Sequence, residues 1–287
     1  MNQEGDAWIL LTAAEDGILA KMRQYGTPLK DMDVRINRGI LTGCNEAFII
    51  DRTKYDELVA ADPKSAEVLK PLLRGEDIER YGHAWAQKYL IGALPALHLN
   101  IDDYPAIKEY LKTFGTKLEQ TGDPGSRKKT NHKWFETQDT ITYWQDFEKP
   151  KIIYPNMTLF LPFIYDDAGF YTNDKAFILN SEKVDLLFLL AVLNSAITHF
   201  WIRMSCAELQ GGTRELRKIF MNGLPLPMPE ESVVAQLAEL ARQIIELKTV
   251  EKDTSAQETA INRIVYGLYH LTEDEIVLVE EKKKKEI

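Results

Sequence analysis

A basic and polar segment at residues 125–133 contains the side chains best suited to bind an anion. Lysine and arginine neutralise phosphate groups, and short polar side chains donate hydrogen bonds to phosphates or to base edges. The candidate contact residues are Arg127, Lys128, Lys129, Asn131 and Lys133. The alternative interpretation is a flexible solvated loop that binds nothing.

A second basic segment, residues 209–218, reads LQGGTRELRK. Its glycine pair allows the backbone to approach a ligand closely, and its basic residues follow at helical spacing. The candidate contact residues are Thr213, Arg214, Arg217 and Lys218. The alternative is the start of a helix with an exposed basic face. Arg74 is a further candidate, in a segment where cations alternate with aromatic residues that packing also explains.

The motifs of the common catalytic centres do not occur in this sequence. A glycine-rich cofactor turn, an Asn/Asp-Pro-Pro-aromatic motif, a Walker loop and a His-Glu-x-x-His helix are all missing. The Glu-x-Lys matches lie in a predicted helix, at Glu246-Leu-Lys248, and in a charged tail, at Glu280-Glu-Lys282, where chance explains them. We therefore expect this chain alone not to be an enzyme. The alternative is a cryptic metal-dependent nuclease around Asp166, Asp167 and Asp174, near Lys175.

The distribution of charge matters more than its sum. The 287 residues carry a net charge of −9, but residues 104–133 contain seven basic and three acidic side chains. Residues 230–287 contain eight basic and thirteen acidic side chains. Any nucleic acid must therefore bind to a local basic face.

Two cysteines are too few for a disulfide framework, and no signal peptide is recognisable. The longest apolar stretch, residues 186–193, is far shorter than the roughly 20 residues that span a bilayer. We expect a soluble cytoplasmic protein with reduced thiols and no membrane partner.

Hydrophobic spacing predicts a mixed α/β (α+β) fold. A leading amphipathic helix should cover residues 1–30, with Trp8, Leu11, Ile18, Leu19 and Met22 on one face and Gly26 and Pro28 after its end. Residues 34–51 predict strand, loop and strand, and residues 88–93 and 177–179 predict further strands. Two prolines in residues 151–165 indicate edge strands or bulges.

Helices are predicted for residues 104–120 and, after an N-cap at Ser181, for residues 182–204, which are apolar on nearly every face. Residues 230–287 predict a helical hairpin, a capping box at Thr272 and Glu275, and a solvated tail at residues 282–285. The expected regions are a leading helix (1–30), a sheet-containing domain (31–229) and a C-terminal helical region (230–287).

Several ordered sequence blocks resemble the TaqI-like C-terminal specificity domain of type IIG restriction enzymes and adenine-specific DNA methyltransferases, including those of phage-defence systems. The blocks are residues 38–51 (RGILTGCNEAFIID), 69–78 (LKPLLRGEDI), 104–111 (YPAIKEYL), 149–155 (KPKIIYP), 189–195 (LLAVLNS), 200–201 (FW), 211–212 (GG), 224–227 (LPLP) and 264–276 (IVYGLYHLTEDEI). The resemblance covers nearly the whole chain, and the joint order of the blocks is what makes it specific.

The resemblance implies a target recognition domain that reads duplex DNA beside a methyltransferase domain or subunit. It also implies that Gly43 and Asn45 shape a turn, that Asn194 caps a helix or forms a hydrogen bond inside the core, and that Lys175 touches DNA. No cofactor is expected in this chain, because S-adenosylmethionine and magnesium would belong to the remaining parts of the parent enzyme. The alternative is a specificity or assembly subunit that docks a separate methyltransferase through its terminal helices.

Overall fold

A computed structural model describes residues 12–160, 162–206 and 208–284. Trp8 and Leu11 of the predicted leading helix lie outside the described residues. The helices are α1 (Ala13–Tyr25), α2 (Asn45–Phe48), α3 (Arg52–Ala61), α4 (Pro105–Lys112), α5 (Leu186–Leu193), α6 (Ala196–Ser205), α7 (Lys218–Met221), α8 (Glu231–Thr249), α9 (Ser255–Leu268) and α10 (Glu273–Lys284).

Within these ranges the strands are short and form two four-stranded sheets and three small two-stranded ones. They are β1 (Gly26–Pro28), β2 (Arg35–Arg38), β3 (Ile49–Ile50), β4 (Leu69–Leu73), β5 (Ile78–Glu79), β6 (Gly82–His83), β7 (Lys88–Ile91), β8 (Lys151–Pro155), β9 (Met157–Thr158), β10 (Ile164–Asp166), β11 (Tyr171–Thr172), β12 (Ala176–Asn180), β13 (Arg214–Glu215) and β14 (Pro225–Pro227). The mixed α and β composition confirms the predicted fold class.

The first large sheet has the strand order β10-β8-β12-β2, with every pairing antiparallel. The predicted edge position of β8 is wrong, since β8 pairs with strands on both sides and all five of its residues are buried. Proline is tolerated here because Pro155 is the last residue of β8 and Pro162 precedes β10. One hydrophobic core joins this sheet to α1, α5, α6, α8 and α9.

The second large sheet has the order β11-β4-β7-β3 and packs in a separate core with α3 and α4. The predicted helix at residues 104–120 is too long. It ends at Lys112 and gives way to a 3₁₀ turn, Gly115–Leu118, because Gly115 adopts a left-handed backbone with φ of 55°. Between the sheets, residues 39–48 form a loop and the single helical turn α2 rather than a plain loop.

The long apolar helix predicted at residues 182–204 is two helices, α5 and α6, which meet at a bend of 65°. Asp185, and not Ser181, caps α5 by accepting from the amides of Leu187 and Phe188. Asn194 lies at the bend, buried, where its side-chain oxygen accepts from the amide of Phe163 at 3.2 Å. Its side-chain nitrogen donates to the carbonyl of Phe163 at 2.9 Å, which confirms the predicted core hydrogen bond.

The chain closes with three helices whose predicted features largely hold. The amide of Thr272 donates to the Glu275 carboxylate at 2.7 Å, and the amide of Glu275 donates to the Thr272 hydroxyl at 3.4 Å, which confirms the predicted capping box. Lys282 is not a solvated tail residue, because it lies in α10 and pairs with Glu15 of α1 at 2.6 Å. Within the described ranges, no single helix is long and apolar enough to cross a membrane. The bent pair α5–α6 meets that test by length and composition only.

Candidate nucleic-acid interface

Arg127 anchors the predicted basic loop from the inside. Its side chain is buried, and its guanidinium lies over the Phe48 ring. Five hydrogen bonds of 2.7–3.1 Å go to main-chain carbonyls, those of Thr42, Leu118, Trp134 and Glu136. Burial lowers the pKa of Arg127 to about 10, so the side chain remains charged at neutral pH. Arg127 was predicted to contact DNA at the surface, but its guanidinium is instead used in hydrogen bonds inside the protein.

The remaining cations of the loop face solvent. Lys128, Lys129 and Asn131 are exposed, and Lys133 is 57% exposed while touching Glu136 at 3.9 Å. Among the described residues, neither Lys128 nor Lys129 forms an ion pair, which leaves two full charges for a ligand. The Gln138 side chain holds the loop in place, since its Nε2 donates to the Lys128 carbonyl at 3.2 Å.

The turn that receives Arg127 has the form that the resemblance implied. Gly43 has φ of 76°, and a Cβ there would lie 2.8 Å from the Arg127 side chain. The Thr42 hydroxyl donates to the side-chain oxygen of Asn45 at 2.7 Å and accepts from the amide of Cys44. Gly43 and Asn45 thus shape the turn against which the basic loop packs.

Arg38 and Lys175 extend the positive surface beyond this loop. The Arg38 guanidinium pairs with Asp174 at 3.0 Å, and the Lys175 side chain, 70% exposed, lies 3.6 Å from the same carboxylate. Asp139 is within electrostatic reach of Arg38, Asp174 and Lys128, and burial raises its pKa. Asp139 therefore interacts electrostatically both with the basic loop and with Asp174, which precedes β12. Arg38 and Asp139 were not predicted, although Arg38 opens the first sequence block of the resemblance.

Arg74 and Lys175, predicted separately, line the same pocket of about 440 Å³. Arg74 is held by Asp77 at 2.7 Å and by Glu76, so its side chain is only 30% exposed. These ion pairs raise the pKa of Arg74 and fix its direction. Arg74 is thus a preorganised cation at the rim of a small pocket.

The segment at residues 213–218 is a strand followed by a short helix, and not the continuous helix suggested by its spacing. Arg214 lies in β13, nearly buried, and pairs with Glu208 at 2.5 Å. Arg217 is exposed and pairs with Glu215 at 2.6 Å, and Lys218 is exposed at the start of α7. Thr213 immediately precedes β13 and is partly exposed.

Main-chain hydrogen bonds bring this segment beside Lys175. The amide of Leu216 donates to the Asn156 carbonyl at 2.7 Å, and the amide of Asn156 donates to the Lys175 carbonyl at 2.8 Å. Cations that are far apart in sequence therefore follow one another across one continuous surface, which we call the basic band. Its members are Arg38, Arg74, Lys128, Lys129, Lys175, Arg217 and Lys218.

The carboxylates proposed for a cryptic nuclease do not converge. Asp166 pairs with the buried Lys151 at 2.5 Å, at the first residue of β8. Asp174 precedes β12, whose first residue lies opposite Pro155, the last residue of β8. Four residues of extended strand separate the two sites by about 13 Å. Within the described residues, no group of three or more His, Cys, Asp or Glu side chains is arranged to hold a metal ion.

The basic band thus draws cations from the ends of β2 and β4, the start of β12, the basic loop and the segment from β13 into α7. The family of the TaqI-like C-terminal specificity domain matches residues 70–226, and the chain belongs to it. This confirms the resemblance drawn from the ordered sequence blocks.

Sequence comparison finds a full-length relative. The chain is 22% identical over 267 residues to the type II methyltransferase M.PaeR7I of Pseudomonas aeruginosa. The match covers 92% of this chain and 44% of that protein. The chain thus spans less than half the length of this relative.

Two solved restriction-modification enzymes have a similar fold. The type IIL enzyme MmeI, solved in complex with DNA, is similar with a TM-score of 0.59 and 10% identity, over 89% of this chain and 36% of that one. The type IIG restriction endonuclease BpuSI is similar with a TM-score of 0.56 and 14% identity, over 90% of this chain and 33% of that one. At these identities the likeness concerns the fold alone.

Proposed function

We propose that this chain recognises a specific sequence of duplex DNA as the target recognition domain of a restriction-modification enzyme. The observation that carries the proposal is the basic band, which collects cations from five separate segments on one surface. Membership in a specificity-domain family supports it, as do relatives and structural neighbours that are restriction-modification enzymes.

The side chains of the basic band divide into two roles. Lys128, Lys129 and Lys175 are exposed and would neutralise phosphates, which supplies affinity without sequence preference. Asn131 and Arg74 are better suited to base edges, because an amide and a fixed guanidinium form paired hydrogen bonds with adenine or guanine. Carboxylates between the cations confine the positive potential to this one surface of an acidic chain.

Catalysis is assigned to the parent enzyme outside this chain. We propose an adenine-specific methyltransferase, joined to this chain as a domain or as a separate subunit, with or without an endonuclease. S-adenosylmethionine and magnesium would bind there, and this chain would contribute target selection. Co-elution of the chain with the cognate methyltransferase tests the partner, and separate elution would contradict it.

The DNA-binding proposal is tested by the salt dependence of binding to a fluorescent duplex. Each phosphate contact contributes about 0.9 to the slope of log affinity against log salt. We expect Lys128→Glu/Lys129→Glu to weaken binding at least tenfold and to reduce that slope by about 2.

A matched control is Lys248→Glu/Lys252→Glu, which reverses two exposed charges near the end of α8. Lys248 lines a pocket with Asp166 and Asp167, at the end of β8 opposite to the basic band. We expect this variant to bind with nearly native affinity. Affinity of the native chain that does not change with salt would contradict the proposal.

A further inference from the structure

Three large apolar side chains are exposed within four residues beside the basic band. Met157 is 55% exposed, Leu159 is 45% exposed and Phe160 is 57% exposed. We call these three side chains the apolar tip. Large apolar groups clustered on a surface and bordered by polar groups usually mark a contact with another molecule.

The folded chain supports the apolar tip at the β9 end. β9 pairs with β13 in antiparallel register, Met157 opposite Glu215 and Thr158 opposite Arg214. The Thr158 hydroxyl accepts from the amide of Phe160 at 3.0 Å, which closes a tight turn. Strand pairing and this turn therefore position the three side chains of the apolar tip.

Cations cluster at the Met157 end of the apolar tip. Met157 lines the same 440 Å³ pocket as Arg74 and Lys175. Arg217 lies at this end as well, because Glu215 is opposite Met157 and the amide of Leu216 donates to the Asn156 carbonyl. A partner that meets these apolar groups beside clustered cations must present apolar surface next to anionic groups. Stacked base pairs beside a phosphate strand have this pattern.

We propose that the apolar tip is a wedge that inserts Phe160 into the base stack of bound duplex DNA. Inserted apolar side chains unstack neighbouring base pairs and bend the duplex, and phosphate contacts made by the adjacent cations compensate that cost. The inference rests on the proposed function, because it specifies how the basic band and its neighbours engage the duplex.

The test compares two fluorescent duplex pools of random sequence, one fully paired and one with a central abasic site. A wedge need not unstack a base pair where one base is missing. We expect the native chain to bind the abasic pool about tenfold more tightly than the paired pool, and Phe160→Ala to bind both pools alike. The slope with salt should stay unchanged in Phe160→Ala, because no charge is removed.

Met228→Ala is the matched control, since Met228 is 59% exposed and follows β14 away from the apolar tip. This variant should keep the full preference for the abasic pool. Thermal unfolding should be unaffected in both variants, because both side chains are exposed.

Two results would overturn the wedge and leave the proposed function standing. One is salt-dependent binding by the native chain with no preference for the abasic pool. The other is a preference for the abasic pool that Phe160→Ala retains. If that variant keeps the preference and loses only co-elution with the methyltransferase, the apolar tip is a protein contact. Failure of the native chain to bind either pool contradicts both proposals.

Discussion

Asp139 is an anion in the middle of the basic band. No hydrogen bond to its carboxylate is present among the described side chains, and its surroundings include Arg38, Lys128 and His132. Burial raises the pKa of Asp139, so its ionised form is less favourable in the folded chain than in the unfolded one. At neutral pH the carboxylate should oppose the approach of phosphates.

We therefore expect Asp139→Asn to bind duplex DNA several-fold more tightly at neutral pH. Affinity of the native chain should rise as the pH falls through the raised pKa of Asp139, and the variant should lack this component. By the same linkage, Asp139→Asn should have a larger free energy of unfolding than the native chain above the raised pKa of Asp139. This difference in stability should vanish below the ordinary pKa of aspartate. Binding titrations across this pH range check the prediction.

Asp167→Asn provides the comparison, because Asp167 is exposed at the opposite end of β8. It removes the same charge away from the basic band and should leave affinity almost unchanged. Equal gains in the two variants would show that only net charge matters.

Single residues were the hardest part to predict from sequence. Arg127 and Lys128 are neighbours of the same charge, yet one is buried and the other exposed, because the pocket for Arg127 is built by carbonyls from three separate segments. Arg38 lies 136 residues from its partner Asp174, so no local pattern could have revealed the pair.

For several helices and strands, the local sequence pattern was sufficient for a correct prediction. The spacing of apolar residues correctly predicted α8, α9, β7 and β12. The pattern failed where tertiary packing determines the course of the chain. Residues 182–204 are apolar on nearly every face, and this pattern did not reveal the bend between α5 and α6. Two prolines also suggested an edge for β8, although neither proline needs to donate a hydrogen bond inside the sheet.

β8 and β10 are joined at one end by the buried pair of Lys151 and Asp166. The Asp166 carboxylate also accepts from the amides of Ala168 and Phe170, and Lys151 donates to the Phe147 carbonyl. Burial lowers the pKa of Lys151, although the attraction to Asp166 opposes this effect.

We expect Lys151→Met to destabilise the fold by about 3–5 kcal/mol, because it leaves the Asp166 charge buried without a partner. Lys151→Met/Asp166→Asn should regain part of the loss, since the buried charge is gone and the asparagine oxygen can still accept from one of the two amides. Urea unfolding measures both. Lys149→Met, two residues away and 51% exposed, should cost little; a loss as large as that of Lys151→Met would contradict the burial argument.

For the whole molecule, the terminal helices belong to the core of the first sheet. Leu237, Ala241 and Ile244 of α8 and Ile261 of α9 are buried in the same cluster as β8, β12 and α5. The sequence predicted a boundary at residue 229 because the composition changes there. A change in composition does not report whether residues 31–229 and 230–287 share a core.

We expect a chain that ends at residue 229 to lose cooperative thermal unfolding, because α5 would expose the apolar face that α8 covers. Circular dichroism during heating measures this loss. A sharp transition near the native melting temperature would instead show that residues 230–287 are a separate unit.

The hydrogen bonds of Arg127 have a consequence for evolutionary change. All five end on carbonyl oxygens of the main chain, which every amino acid supplies. Side chains at positions 128–133 can therefore be exchanged without loss of the anchor. Natural selection or an engineer could diversify the amino acids presented by this loop while Arg127 preserves its shape.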